Sequence, residues 1–155
     1  LKHLLTNDNN DKILVFCHHH LIHDALVATL EKSGKAFISI DGRTKTKSRQ
    51  ALVDDFQNND EIRFAVLGIR AAGTGLNLFK ANVVVFTELL WNQKDMLQAE
   101  DRAHRIGQEN PVTVKYLLLG GSTDDLVWAS LNSKMKSTAA VLDNSLHRNF
   151  LSQRI

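Results

Sequence analysis

Apolar runs rich in branched residues alternate with amphipathic stretches along most of this chain, and that alternation predicts an α/β fold. Lys12–Cys17 (KILVFC) reads as a buried strand, followed by a helix over about Leu21–Lys32 with Gly34 as its stop. Ala36–Asp41 (AFISID) is the second strand, and Gly42 begins the turn out of it. Thr46–Gln57 carries Ala51, Leu52, Val53 and Phe56 at helical spacing and is a helix. Ile62–Leu67 is a third strand, Asn82–Thr87 a fourth and Pro111–Leu119 a fifth. Gln93–His104 and Thr123–Lys136 are further helices, the second with Thr123 as N-cap and Asp124 and Asp125 in its first turn. Strands alternating with helices imply right-handed crossovers and a mostly parallel sheet covered on both faces, a three-layer α/β/α arrangement. Such sheets bind ligands outside the carboxyl ends of their strands, which is where the unusual loops of this chain fall. The lobe is expected over residues 1–136. Residues 137–155, mixed and polar, read as a C-terminal extension that is helical or partly disordered.

At 155 residues the chain suits one domain with a real core. Hydrophobic residues make up 43% and charged residues 23%, a composition of globular rather than disordered chains. A net charge of +2 permits contact with phosphates without demanding it, and no Lys/Arg run marks a basic arm. The single Cys17 excludes an internal disulfide and fits a reducing compartment, cytosol or nucleus. No apolar run approaches the length of a membrane span, so no membrane partner is expected. The chain begins at Leu1 rather than Met and is read as a piece of something longer.

The chemistry concentrates in Gln98-Ala-Glu-Asp-Arg102-Ala-His-Arg105-Ile-Gly-Gln108. On a helix, Gln98, Arg102 and Arg105 sit at i, i+4 and i+7 and share a face, within ~10 Å of axis. Two planar cations aimed one way suit a dispersed anion such as a transferring phosphoryl group. The same spacing also fits an exposed helix laced by its own ion pairs, with Asp101 one turn before Arg105. The loop Gly68-Ile-Arg-Ala-Ala-Gly73-Thr74-Gly75-Leu-Asn77 imitates a phosphate loop, but the lysine that should precede Thr74 is missing. Gly73 and Gly75 instead supply backbone free to take positive φ and approach a ligand, or simply a tight turn. After the second strand, Asp41-Gly42-Arg43-Thr44, with Arg49 in the next helix, offers donors and close backbone approach to a phosphate. A capped strand–helix turn would use Gly and Thr in the same way. Cys17-His18-His19-His20…His23 invites a metal reading. Zinc needs three or four ligands with supporting partners, and no Cys or carboxylate is spaced in sequence to join them, so no metal is expected.

Taken together, these segments resemble the motifs of the Swi/Snf family of ATP-dependent DNA translocases, within helicase superfamily two. Gln98-x-x-x-Arg102-x-x-Arg105-x-Gly-Gln is similar to motif VI, and Ala71-Ala-Gly73-x-Gly75-Leu-Asn77-Leu to motif V, with Ala72 in place of the usual first Gly. Phe86-Thr-Glu88-Leu-Leu-Trp91-Asn92-Gln93 resembles motif Va, with Gln93 where the family has Pro. Ile40-Asp41-Gly42-Arg43-Thr44…Arg49 resembles the family's DNA-backbone motif, with Arg43 at the usual Ser position. Phe16-x-His18-His19 matches the first motif of this lobe in the annealing-helicase (HARP-like) branch, and Gly121-Ser-Thr123-Asp-Asp125 with Trp128 and Leu131 matches a structural segment after motif VI. The resemblance covers about Lys12–Lys136 and implies a second RecA-like lobe, the helicase C-terminal domain.

That resemblance implies a nuclear motor on double-stranded or branched DNA, working in repair or fork remodelling. ATP and Mg²⁺ would be held mainly by a first RecA-like lobe of the same polypeptide. This lobe would contribute Arg102 and Arg105 as arginine fingers, Gln98 to orient them, and Gly73 and Gly75 at the ATP site. Gly42, Arg43, Thr44, Arg49, Trp91 and Asn92 would line the DNA groove, although a lone Trp more often serves packing. The chain alone would have no ATPase activity. Alternatives are the motor lobe of a chromatin remodeller and a catalytically inactive DNA-binding lobe. A metabolite-binding doubly wound domain is disfavoured, since no Gly-x-Gly-x-x-Gly follows the first strand.

Overall fold

A computed structural model describes residues 11–72, 75–90, 92–100, 102, 111–141 and 150–154. Strand β1 (Ile13–Cys17) leads into helix α1 (His20–Lys32), then β2 (Phe37–Ile40) into α2 (Thr46–Asn58). Strand β3 (Phe64–Gly68) runs directly into the single turn α3 (Ile69–Ala72). Strand β4 (Val83–Phe86) precedes α4 (Gln93–Glu100), β5 (Thr113–Leu118) precedes α5 (Thr123–Val141), and β6 (Phe150–Arg154) closes the described chain. All six strands form one sheet in the order β2-β3-β1-β4-β5-β6, and every pairing is parallel.

The strand order explains which face each helix covers. Only the step from β1 to β2 runs one way across the sheet; every later step runs the other way. Right-handed crossovers then put α1 on one face and all later helices on the opposite face. The side chains follow that division with a period of two. Ile13, Val15, Cys17, Phe64, Val66, Val83 and Val85 pack with Leu26 and Leu30 of α1. Leu14, Phe16, Ala65, Leu67, Val84 and Phe86 pack with Val53 and Phe56 of α2, Met96 and Ala99 of α4, and Val127 and Leu131 of α5. The architecture is therefore the RecA-like α/β/α lobe expected from the alternation of elements.

Central strands β1 and β4 are buried at every position, as both covered faces require. Strands β2 and β5 alternate buried with half-buried positions instead, so their sequences read as less continuous runs. Parallel register aligns Phe16 with Phe86, and Phe86 with Tyr116. Their rings stack at 5.3 and 5.2 Å between centroids, and Trp128 of α5 closes the row 5.0 Å from Tyr116. Rings in this arrangement contribute beyond their buried area.

At the amino ends of the strands, Lys12 is 7% exposed and its ammonium is enclosed by backbone. Nζ donates to the carbonyls of Phe56, Asn59 (2.7 Å) and Ile62 (3.2 Å), just where α2 ends and leaves carbonyls without helical partners. The cation also lies 4.9 Å from the Phe56 ring centroid.

Several boundaries differ from the sequence reading. The N-cap of α5 is Ser122 rather than Thr123: Ser122 Oγ accepts from Asp124 N at 3.1 Å. Asp124 and Asp125 accept from the backbone N–H groups of Leu119 and Gly121 and so hold the turn ahead of the helix. The motif-bearing helix is described only to Glu100, with Arg102 in a turn where its N–H reaches Ala99 O at 3.1 Å; His104 lies outside the described residues. Helix α5 continues to Val141, and β6 is a strand where a helix or a frayed tail was expected. Five residues with little periodicity become a strand there because β5 offers an open edge. Among the described residues, no helix is long and apolar enough to cross a membrane.

Candidate functional site

Crossovers diverge to opposite faces on either side of β1, so the loops after β1, β2, β3 and β4 meet at the carboxyl rim beside it. Two carboxylates organise that rim. Glu88, two residues beyond β4, accepts from the backbone N–H of His18 (2.7 Å) and His19 (3.0 Å) through Oε2, and meets His19 Nδ1 at 2.5 Å through Oε1. Helix α1 begins without a side-chain cap of its own, and Glu88, 69 residues away, instead holds the N–H groups of its N-cap residue His19 and of His18 ahead of it. Burial alone would raise the Glu88 pKa, but hydrogen bonds from the His19 side chain and the two N–H groups hold it below the ordinary range. Thr87 fastens the same loop to β1, its N–H and its hydroxyl both donating to Phe16 O at 3.0 Å.

The second carboxylate is Asp41, at the end of β2 and 4% exposed. Its oxygens accept from Arg43 N (2.8 Å) and Arg43 Nε (2.6 Å), with Thr44 Oγ1 at 3.5 Å and His20 Nδ1 at 3.2 Å. Again burial pushes its pKa up, and the bonds from Arg43 together with the charge of His23 more than offset it, leaving Asp41 below its ordinary value. Arg49 of α2 pins the loop by donating from Nε to Thr44 O (3.1 Å) and from Nη2 to Asp41 O (3.2 Å). The strand ends approach closely here: a Cβ on Gly68 would lie 3.3 Å from Asp41 Cα. At Gly42, by contrast, a Cβ would meet nothing of this chain within 4 Å.

The outer edge of Arg43 is occupied as well. Its Nη1 and Nη2 donate to Asp24 Oδ2 (3.2 Å) and Oδ1 (2.5 Å), across from α1. Those bonds lower the Asp24 pKa and raise that of Arg43. Beneath them His23, 4% exposed, holds Ser39 Oγ at 3.2 Å through Nε2, and its Nδ1 lies 3.5 Å from Asp24 and 3.8 Å from Asp41. Apart from Asp24, the next residue after His23, the carboxylates beside these histidines are Glu88 and Asp41, which come from the ends of other strands. Among the described residues, no three His, Cys, Asp or Glu side chains are grouped to hold a metal ion. Burial, with the nearby Glu88, Asp41 and Asp24, pushes the Cys17 thiol up to about 12, so it stays protonated and unreactive.

On the opposite face, α3 packs on α4, and a cleft of about 260 Å³ opens between them, lined by Ile69, Arg70, Asp95, Gln98 and Ala99. Leu78 N donates to Arg102 O at 3.2 Å, so the loop after β3 and the end of α4 are bonded to each other. Arg102 is 6% exposed, and its Nε donates to Gln98 O at 3.2 Å, a cation at a helix C-terminus. Gly75 has φ +82°, the positive value expected of it. Asn92 is exposed, and its Oδ1 accepts from Lys94 N at 3.1 Å at the start of α4. Gly73, Trp91 and Arg105 lie outside the described residues.

A family model described as the helicase conserved C-terminal domain matches residues 1–107. The chain belongs to that helicase C-terminal domain family. Its relatives place the lobe among Swi/Snf-related proteins. A Caenorhabditis elegans homolog of "SWI/SNF-related matrix-associated actin-dependent regulator of chromatin subfamily A-like protein 1" is 44% identical over 80% of this chain and 18% of its own length. Mouse "DNA annealing helicase and endonuclease ZRANB3" is 43% identical over 92% of this chain and 13% of its own. The C-terminal part of the Fun30 ATPase domain superposes with a TM-score of 0.80 at 32% identity, covering 84% of this chain and 43% of that one. The chain spans less than a fifth of the length of these curated relatives.

In the helicase C-terminal lobe, then, the residues singled out in sequence fall into two groups. Gly42, Arg43, Thr44 and Arg49 form one bonded loop at the β2 end. Gln98 and Arg102 sit at the α3–α4 junction with Gly75 in the adjoining loop. Sequence reasoning missed Asp24, Glu88 and Arg70 as site residues. Glu88 was part of a quoted motif without a role, and nothing local in sequence marks Asp24, whose partner is 19 residues away.

Proposed function

We propose that this chain is the second motor lobe of an ATP-dependent DNA translocase of the annealing-helicase type, acting in the nucleus on double-stranded or branched DNA. The observation that carries this reading is the bonded junction of the loop after β3 with the end of α4, at the ligand-binding rim of a parallel sheet. Arg70 and Gln98 line that cleft beside Asp95 and carry donor groups of the kind that suits phosphate oxygens, and Arg102 Nε is bonded to the Gln98 carbonyl. The first lobe would hold ATP and Mg²⁺, and bound ATP supplies the phosphoryl group transferred to water. Burial of Arg102 against Gln98 gives it the positioning part, and Arg105 the direct contact with developing charge on phosphate. Gly73 and Gly75 let the backbone come close to the nucleotide. The loop of Gly42, Arg43, Thr44 and Arg49, with Trp91 and Asn92, forms this lobe's share of the DNA groove. Similarity to a protein named as a DNA annealing helicase supports the annealing-helicase part of this reading.

Removing a finger arginine typically costs ~10³-fold or more in turnover. In the full-length protein, Arg105→Ala should therefore lower DNA-stimulated ATP hydrolysis by about that factor, with Arg102→Lys also strongly impaired. The lysine replacement is chosen because Arg102→Ala would open a hole at a buried position. ATPase at the wild-type rate in Arg105→Ala would remove the finger assignment, and at that rate in Arg102→Lys the positioning role. Measurable hydrolysis by the 155-residue chain alone would overturn the two-lobe reading.

A further inference from the structure

We propose that Asp24 is a built-in substitute for a DNA phosphate on the outer edge of Arg43, and so sets how tightly this lobe holds the DNA backbone. The proposal rests on the reading of the Gly42–Arg49 loop as part of the DNA groove.

The guanidinium of Arg43 has two edges in unlike surroundings. Its inner edge is anchored: the backbone N–H and Nε both bond Asp41, whose side chain is 6% exposed. Withdrawing Asp41 would strand a buried carboxylate, so that contact holds. The outer edge meets Asp24 through two roughly parallel N–H···O bonds, the arrangement that two oxygens of a phosphate also offer. Asp24 is 56% exposed and Arg43 55%. Water can reach Asp24 when it leaves, and the buried His23 Nδ1, 3.5 Å from Asp24, keeps the Asp41 carboxylate 3.8 Å away. Gly42, the preceding residue, has open space where a Cβ would project. Arg49 keeps the loop ordered throughout through Thr44 O and Asp41 O.

An anchored arginine with one exchangeable edge is a phosphate site already folded, with an internal anion competing for it. The competition lowers DNA affinity, which benefits a motor that must release the backbone at each step. Exchange involves no covalent change. A phosphodiester oxygen pair replaces the Asp24 carboxylate, which becomes hydrated.

The test uses full-length protein and a fluorescein-labelled DNA duplex, with Kd measured by anisotropy at low and moderate salt, alongside the KM for ATP. Asp24→Asn should tighten DNA binding about three- to five-fold and leave the KM for ATP unchanged. Asp24→Glu keeps the charge and should stay near wild type. Arg43→Ser should weaken binding, and Asp24→Asn added to Arg43→Ser should change nothing further. If Asp24→Asn leaves Kd unchanged while Arg43→Ser weakens it, the Asp24 proposal fails and the groove reading stands. The proposal also fails if Asp24→Asn tightens binding equally without Arg43, or alters the KM for ATP instead. If neither Arg43→Ser nor Arg49→Ala affects DNA binding, the groove reading itself fails.

Discussion

Lys12 at the amino ends of the strands and Arg43 at their carboxyl ends are both held cations, but their acceptors differ in kind. Lys12 donates to three backbone carbonyls at and just beyond the end of α2, with the exposed Asp60 carboxylate only as near as 4.0 Å, and burial lowers its pKa. Those carbonyls belong to the main chain at and after the helix end and cannot leave without moving it. Arg43 is held on one side by the buried Asp41 and on the other by the exposed Asp24. One of its acceptors can leave at small cost. A cation satisfied by backbone is structural, whereas a cation satisfied by an exposed side chain remains available to a ligand.

The largest effect should come from breaking the rigid end. Lys12→Met keeps the apolar stem but leaves the carbonyls of Phe56, Asn59 and Ile62 short of a donor, and should cost about 3 kcal/mol in urea unfolding. A loss below about 1 kcal/mol would mean water replaces the ammonium, and the contrast between the two ends would weaken.

Next in size is the anchored half of the rim. Asp41→Asn should cost about 1–2 kcal/mol at neutral pH, from charge-assisted bonds to Arg43. Its signature is in the pH profile. Asp41 and Glu88 have folded pKa values held below their unfolded ones, so their contribution is fully present above the unfolded values. It is lost as pH falls through the lower folded values. Stability should therefore drop on acidification below about pH 4.5, and Asp41→Asn should make that drop shallower. An unchanged acid limb in the variant would show that Asp41 does not couple to folding.

The smallest stability effect belongs to the exchangeable half. Asp24→Asn removes a solvent-screened pair and should leave the unfolding midpoint unchanged within measurement, whatever it does to DNA affinity. A clear fall in the midpoint would place Asp24 with Lys12 among the structural contacts.

Much of this was readable before any coordinates. Continuous branched runs such as ILVFC and VVVF announced buried strands, because a strand covered on both faces has no polar position to interrupt it. Gly34 stopped α1 and takes φ +66° there, a conformation that only Gly adopts at little cost. Harder to read were elements that depend on a neighbour. Strand β6 exists through its pairing with β5, and α3 is a single turn too short to show a period. At the rim, the residue types were legible and their partners were not. Arg43 was legible as a charge at the usual Ser position of a DNA-backbone motif, and only the packing of α1 on the sheet brings Asp24 to it.

Local pattern alone determined the alternation of strands and helices, and hence a parallel sheet with loops gathered at one rim, because side-chain period and chain handedness act within a few residues. The tertiary structure decided which charges at that rim are spent and which stay exchangeable. Asp24 meets Arg43 across 19 residues, and Glu88 holds the chain entering α1 across 69. Electrostatic pairing depends on distance in space, and distances in space are settled only when the layers pack.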